Sequence, residues 1–247
     1  MNPPIMDDDD EIKSLDQLLC EAAFKGNHAE ALTLLALGAS PIWKDESGMT
    51  ALHYAAERAN AAPMLADLLA SAKADANVRD DDGMTPLFYA ARKGNRIGAE
   101  LLLANKAEVD ARDRWQATPL CRAAHNGHVG IINLLLRAGA EVDAAAEKGY
   151  TPLFYAVQRG HLSAGHALVR AGADASHAND SGLTVLELAQ RLDQSVTNQF
   201  QLAQFLAAAQ LQKDLKNGTA KPVKAMKPAR FKPKKAGDSP TNPDNKI

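Results

Sequence analysis

The segment TPLFYAARKG at Thr85–Gly94 returns as TPLCRAAHNG from Thr118 and as TPLFYAVQRG from Thr151, at a spacing of 33 residues each time. Weaker copies begin at Thr50 (TALHYAAERA) and Thr184 (TVLELAQRL), so five anchoring threonines are separated by 35, 33, 33 and 33 positions. A repeat of this length describes a stack of small units, because no single unit can cover its own apolar faces and each must be covered by its neighbours. The chain's 247 residues therefore read as one elongated domain with flanking tails.

The stretch from Asp80 to Arg112 shows what one unit must be. Gly83 permits a tight turn, Thr85 is placed to cap a helix, and Pro86 sits where a missing N–H costs nothing. Leu87, Ala90 and Ala91 recur at helical spacing, and the small alanines allow a second helix to approach closely, until Gly94 ends the segment in a left-handed cap. A second apolar helix follows through Ile97, Leu101, Leu102 and Leu103, and AEVDAR leads on to the next aspartate. The unit is turn, short helix, helix. A hydrophobic fraction of 46% with only 5% aromatics predicts a core made mainly of Leu and Ala.

These residues resemble the ankyrin repeat family, whose pattern of Asp, Gly, Thr-Pro-Leu, paired alanines, Gly-His, Leu-Leu-Leu and Gly-Ala is present nearly whole; NGHVGIINLLLRAGAEVDA from Asn126 is the best copy of its second half. The resemblance implies an all-α solenoid of antiparallel helix pairs with projecting hairpin fingers and a concave face, in about six units including caps. The expected divisions are an N-cap unit at 15–44, repeats at 45–79, 80–112, 113–145 and 146–178, and a C-cap unit at 179–210. The N-cap is expected to carry a polar outer face. In the C-cap, Phe200, Ala203, Phe205 and Leu206 are expected inside and Gln199, Gln201, Gln204 and Gln210 outside.

Two departures mark the N-terminal half. The first full repeat holds two extra residues in RANAAPM, with Pro63 starting its second helix, and Lys73 and Lys106 stand where the family has glycine. A lysine in a left-handed cap costs about 1 kcal/mol relative to glycine, which predicts locally lower stability.

The ends differ in charge. Residues 1–14, with the run Asp7–Asp10, read as an acidic disordered segment, and 211–247 as a basic disordered tail with nine lysines, one arginine, three aspartates and five prolines. The tail carries +7 against −9 for residues 1–210. Lysine–proline alternation can bind nucleic acid or anionic lipid through counterion release, can solubilise the chain, or can lie weakly on the acidic body. Cys20 and Cys121 fall in different units, which argues against a disulfide framework and for a reducing compartment. No run reaches the roughly 20 apolar residues of a membrane helix, and the acidic N-terminus is unlike a secretory signal. Cytoplasmic residence follows as the expectation, or nuclear if the source is eukaryotic.

Catalytic chemistry is not indicated, and neither a cofactor nor a metal is expected. His125 and His128 straddle Gly127, and His161 and His166 are five apart and face different ways. The resemblance makes His53, His128 and His161 structural, each bonding neighbouring backbone. The aspartate run lacks the glycine and spaced glutamate of a calcium loop, and there is no phosphate-binding glycine loop.

What varies between copies marks the binding surface. Carrying the family's variable positions onto this chain gives the candidate partner-binding residues Tyr54, Met84, Tyr89, Arg92, Arg112, Arg114, Trp115, Arg122, His125, Tyr150, Tyr155 and Arg159, rich in the types enriched at interface hot spots. Arg79, Asp81, Asp82, Glu147 and Lys148 fall at further variable positions. Trp115, beside Gln116 where other repeats have Gly48, Gly83 and Gly149, is either an anchor for a partner or a brace against the next finger. The arginines suggest an acidic or phosphorylated protein segment as ligand. The leading expectation is a monomeric, noncatalytic adaptor. The alternatives are a nucleic-acid or chromatin-associated protein acting through 211–247, or a bacterial effector or immunity protein on the same scaffold.

Overall fold

A computed structural model of the chain describes residues 13–71, 74–191, 206–208 and 210. The two charged ends beyond these limits, Lys73, and Phe200, Ala203, Phe205, Gln199, Gln201 and Gln204 of the C-cap lie outside them. Leu206 is fully buried and joins the core.

Eleven α-helices occur among the described residues. The inner helices are α1 (Leu15–Lys25), α3 (Ala51–Glu57), α5 (Pro86–Lys93), α7 (Pro119–His125), α9 (Pro152–Gln158) and α11 (Val185–Arg191), short in every unit after the first. The outer helices are α2 (His28–Ala36), α4 (Ala62–Ala70), α6 (Arg96–Ala104), α8 (Val129–Arg137) and α10 (Leu162–Arg170). Inner packs on inner, outer on outer, and the two pair within each unit, which is the expected all-α stack. No named strand is present among the described residues; a single antiparallel bridge joins Ala178 and Thr184.

The sequence explains most boundaries; an exception is Thr85, placed to cap α5, whose side chain makes no cap bond and whose buried Oγ1 has no hydrogen-bond partner among the described residues. Thr118 and Thr151 accept from the amides of Cys121 and Phe154, and proline opens α5, α7 and α9, where no intrahelical N–H is needed. Ser14 belongs to the structured region rather than to a disordered end: it caps α1 in a capping box with Gln17. Pro63 falls in the first turn of α4, as its position predicts. The paired alanines Ala22 and Ala23, Ala55 and Ala56, Ala90 and Ala91, and Ala123 and Ala124 are all buried, so the inner helices approach closely. Phe88 and Phe154 add the largest buried side chains to a core otherwise dominated by Leu and Ala.

Three sets of bonds tie unit to unit at the repeat spacing. Histidines bond the backbone of an adjacent unit: Nε2 of His53 lies 3.1 Å from the Met84 carbonyl, that of His128 3.0 Å from Arg92 O, and that of His161 3.1 Å from His125 O. Asn95 takes the same place in its unit, donating to the carbonyls of Ala56 and Arg58. On the linking stretch, Lys44 donates to Arg79 O, Arg79 to Arg112 O and Arg112 to Ala145 O. Alongside, Asn77, Asp110 and Asp143 accept the amides of Glu108, Glu141 and Asp174.

The N-cap departs from expectation. Leu15, Phe24, Leu32, Leu37 and Ile42 are exposed, Leu37 by 62%, so the first unit presents apolar as well as polar surface. Lys106 does hold a left-handed backbone, at φ 66°.

Candidate functional site

Each finger is a turn organised by its first side chain. Asp45, Asp80 and Asp113 each use one carboxylate oxygen to accept two amides of their own turn, those of Ser47 and Met49, Asp82 and Met84, and Trp115 and Ala117. The other oxygen accepts from a side chain nine residues on, on the inner helix: Tyr54, Tyr89 or Arg122. The finger is thereby bolted to its helix. Asn179 repeats the turn bonds to Ser181 and Leu183. Ala146 cannot, and the fourth finger instead forms a 3-10 turn at Glu147–Gly149 with Lys148 at φ 61° followed by Gly149 at φ 72°.

Fingers also bond to one another. The amides of Asp81, Arg114, Glu147 and Asp180 donate to the carbonyls of Ser47, Asp82, Trp115 and Lys148 in the preceding finger. A continuous surface of fingers and inner helices results, and the sequence-selected residues fall on it unequally.

Met84 and Tyr89 are buried, 8% and 5% exposed, and present almost no surface to a partner. Met84 is drawn in by the turn bond to Asp80, and the Tyr89 hydroxyl donates to Asp80 at 2.6 Å. Burial and that carboxylate push the Tyr89 phenol well above its ordinary range; Tyr54, held by Asp45, shifts the same way for the same reasons. Arg112 is spent on the stack, donating to the carbonyls of Gln116 and Ala145. Its neighbour in kind, Arg79, is likewise a link between units.

Two groups of the selected residues do come together. In the first, the half-buried Trp115 ring has the Arg114 guanidinium 4.2 Å and the Arg122 guanidinium 5.6 Å from its centroid. Arg114 also pairs with Asp82 at 2.8 Å, and Arg122 with Asp113. In the second, Tyr155 packs edge-on against His125 at 5.9 Å and beside Tyr150 at 5.8 Å, and Arg159 Nε–H donates to His125 Nε2. Burial and Arg159 hold His125 below its ordinary pKa. With Ala146 at the turn, the Tyr155 hydroxyl has no carboxylate to bond; burial still pushes its phenol up to about 12. Between these groups and the first finger, Arg92 spans from the Tyr89 ring to Glu57, 4.6 Å and 2.9 Å away. Arg92, Arg114 and Arg122 are thus matched by Glu57, Asp82 and Asp113, and the surplus of positive charge expected of the central face is largely offset within the protein.

Two aromatic residues were not among the candidates. Phe24 is 56% exposed and stacks edge-on with Tyr54 at 5.5 Å; Trp43, half-buried, lines the same cleft. Phe24 occupies the variable position that Glu57, Arg92 and His125 hold in later units, so carrying the comparison into the cap unit would have found it. The cysteines are buried free thiols, Cys20 pushed up to about 12 by burial and Asp45, and neither is poised as a nucleophile. Among the described residues no cluster of His, Cys, Asp and Glu has metal-binding geometry, and no helix is long and apolar enough to cross a membrane.

No curated protein matches the chain. A family model described as ankyrin repeats (3 copies) matches residues 19–113, 52–146, 99–179 and 120–217, overlapping windows that together span most of the chain. Ankyrin repeats are in general protein–protein interaction modules. With the repeat period, the helix pairs, the bonded fingers and this match in agreement, the chain belongs to the ankyrin repeat family.

Proposed function

We propose that the chain is a noncatalytic adaptor that holds a protein partner on the face built by its fingers and inner helices. The observation that carries this reading is Trp115: a tryptophan at a finger tip, half-buried, with guanidinium groups near its ring and outside the main core. A core brace would be enclosed by apolar side chains, whereas a half-buried ring flanked by arginines carries a polar rim, the composition of interface anchors. Tyr155, with an unbonded hydroxyl, extends that surface. Since the central arginines are matched internally, the reading favours a partner engaged through aromatic and hydrogen-bonding contacts over one held by anionic groups alone.

The test is capture of partners from extracts of the source cell on the full chain. Trp115→Ala should lose the captured protein, and Tyr155→Phe, which keeps the packed ring and removes the hydroxyl, should weaken its capture, while circular dichroism and urea unfolding stay near wild type. Retention of the partner by both variants would refute the reading. Arg122→Glu is unsuitable as a probe, because it would set a second carboxylate against Asp113 and disturb the finger itself.

A further inference from the structure

In each later finger the amide just after the turn's first residue bonds a carbonyl of the preceding finger, whereas among the described residues no finger precedes the first. Glu46 holds that amide in the first finger, and among the described residues its N–H donates to nothing.

Beside the first finger there is a cleft of about 440 Å³ whose lining includes Phe24, Trp43, Tyr54, Glu21, Asp45 and Glu46. Its lining carries three carboxylates and a single cation, Lys13, already paired with Glu21. A second cleft of about 480 Å³ continues from it, shares Ser47 and Tyr54, and adds the buried Asp80, Glu57, which pairs with Arg92 and Lys93, Asp82, which pairs with Arg114, and Asp81, which is in no ion pair among the described residues. The Phe24 ring already takes one guanidinium, that of Arg58, 5.9 Å from its centroid. This front half of the face therefore joins an unpaired backbone donor, the exposed Phe24 ring beside the half-buried Trp43, and three carboxylates, Asp45, Glu46 and Asp81, that form no ion pair among the described residues.

We propose that the front clefts dock an extended, basic segment of the partner protein. One of its backbone carbonyls takes the Glu46 N–H, continuing the ladder as a preceding finger would. A lysine or arginine next to it lies against the Phe24 and Trp43 rings, facing Asp45 and Glu46, an arrangement supported by both charge and cation–π attraction. The inference rests on the adaptor reading and names the chemistry of what that face receives.

The experiment uses the full chain and two fluorescein-labelled nine-residue peptides of alternating glycine with lysine or with glutamate. The lysine peptide should bind at least tenfold more tightly than the glutamate peptide, weaken as salt rises, and protect the Glu46 amide from hydrogen exchange. Phe24→Ala and Glu46→Lys should each weaken it at least fivefold, and Trp115→Ala should leave it unchanged. Equal binding of the two peptides, indifference to Phe24→Ala and Glu46→Lys, or no protection at Glu46 overturns the proposal. So does a tenfold gain in peptide affinity when Lys224, Lys227, Lys232, Lys234 and Lys235 are changed to Gln, since the clefts would then be the seat of the chain's own tail. If the peptides fail while Trp115→Ala still abolishes partner capture, only this inference falls and the adaptor reading stands.

Discussion

Replacing Asp113 with alanine should be among the most damaging changes a single finger can suffer. The carboxylate is fully enclosed, 0% exposed, and accepts the Trp115 and Ala117 amides at 2.9 Å each as well as the Arg122 guanidinium. A hydrogen bond to a charged group contributes roughly 1.5–3 kcal/mol, so the two amides alone account for about 3 kcal/mol or more. Arg122 adds less, because its side chain is 29% exposed and water can take up the freed guanidinium. The expected loss is about 3–5 kcal/mol, within the range for removing one member of a buried pair. For a stack of this size that corresponds to a fall in Tm of roughly 10 °C. Urea unfolding followed by far-UV circular dichroism gives the total, and Trp115 fluorescence reports the finger. The fourth finger shows what could defeat the reasoning: with Ala146 in the same place it forms a turn with a left-handed Lys148. If Asp113→Ala costs under about 1 kcal/mol, the third finger can adopt that turn too, and the carboxylate does not decide its shape.

Two further predictions concern stability. A Cβ on Gly94, at φ 74°, would sit 2.8 Å from Nδ1 of His128, a ring held by its bond to Arg92 O; at Gly139, at φ 94°, it would meet nothing within 4 Å. Gly94→Ala should cost about 2–3 kcal/mol and Gly139→Ala about 1 kcal/mol in urea unfolding, while Lys106→Gly should gain about 0.5–1 kcal/mol by relieving its left-handed backbone. The His53 imidazole is buried, accepts the Thr50 amide at Nδ1 and donates from Nε2 to Met84, so burial holds its pKa below the ordinary 6.5. The unfolded chain then binds more protons than the folded one between the two pKa values. Stability should be complete above pH 6.5 and fall as pH drops below it. His53→Gln should flatten part of that fall; an unchanged pH profile would show that His53 does not contribute, His125 being the other inner-face histidine pushed down.

Much of the architecture was legible because a repeat compares itself. Copies at 33-residue spacing exposed the helix starts at Thr118 and Thr151 and the paired alanines, while the resemblance to ankyrin repeats implied the bonding roles of His53, His128 and His161 and the left-handed site at Lys106. The candidate site was read less well. Arg79 and Arg112 varied in type from unit to unit and so looked free, but Lys44, Arg79 and Arg112 each reach the carbonyl of the next linking stretch. The pairing of Asp45 with Tyr54, Asp80 with Tyr89 and Asp113 with Arg122 was available as a constant nine-residue offset. It went unread because tyrosine and arginine share no obvious chemistry until both are seen donating to a carboxylate.

The sequence by itself determined the fold of this protein, since periodic apolar positions, turn glycines and capping residues are local signals that each copy restates. It also confined the variable chemistry to fingers and inner helices. Only the tertiary structure decided which of those side chains face outward, because that depends on contacts between units that no single copy contains. It buried Met84 and Tyr89 and matched the central arginines with carboxylates. At the front of the stack it left Phe24 exposed and the Glu46 amide without a partner, because among the described residues no finger precedes the first.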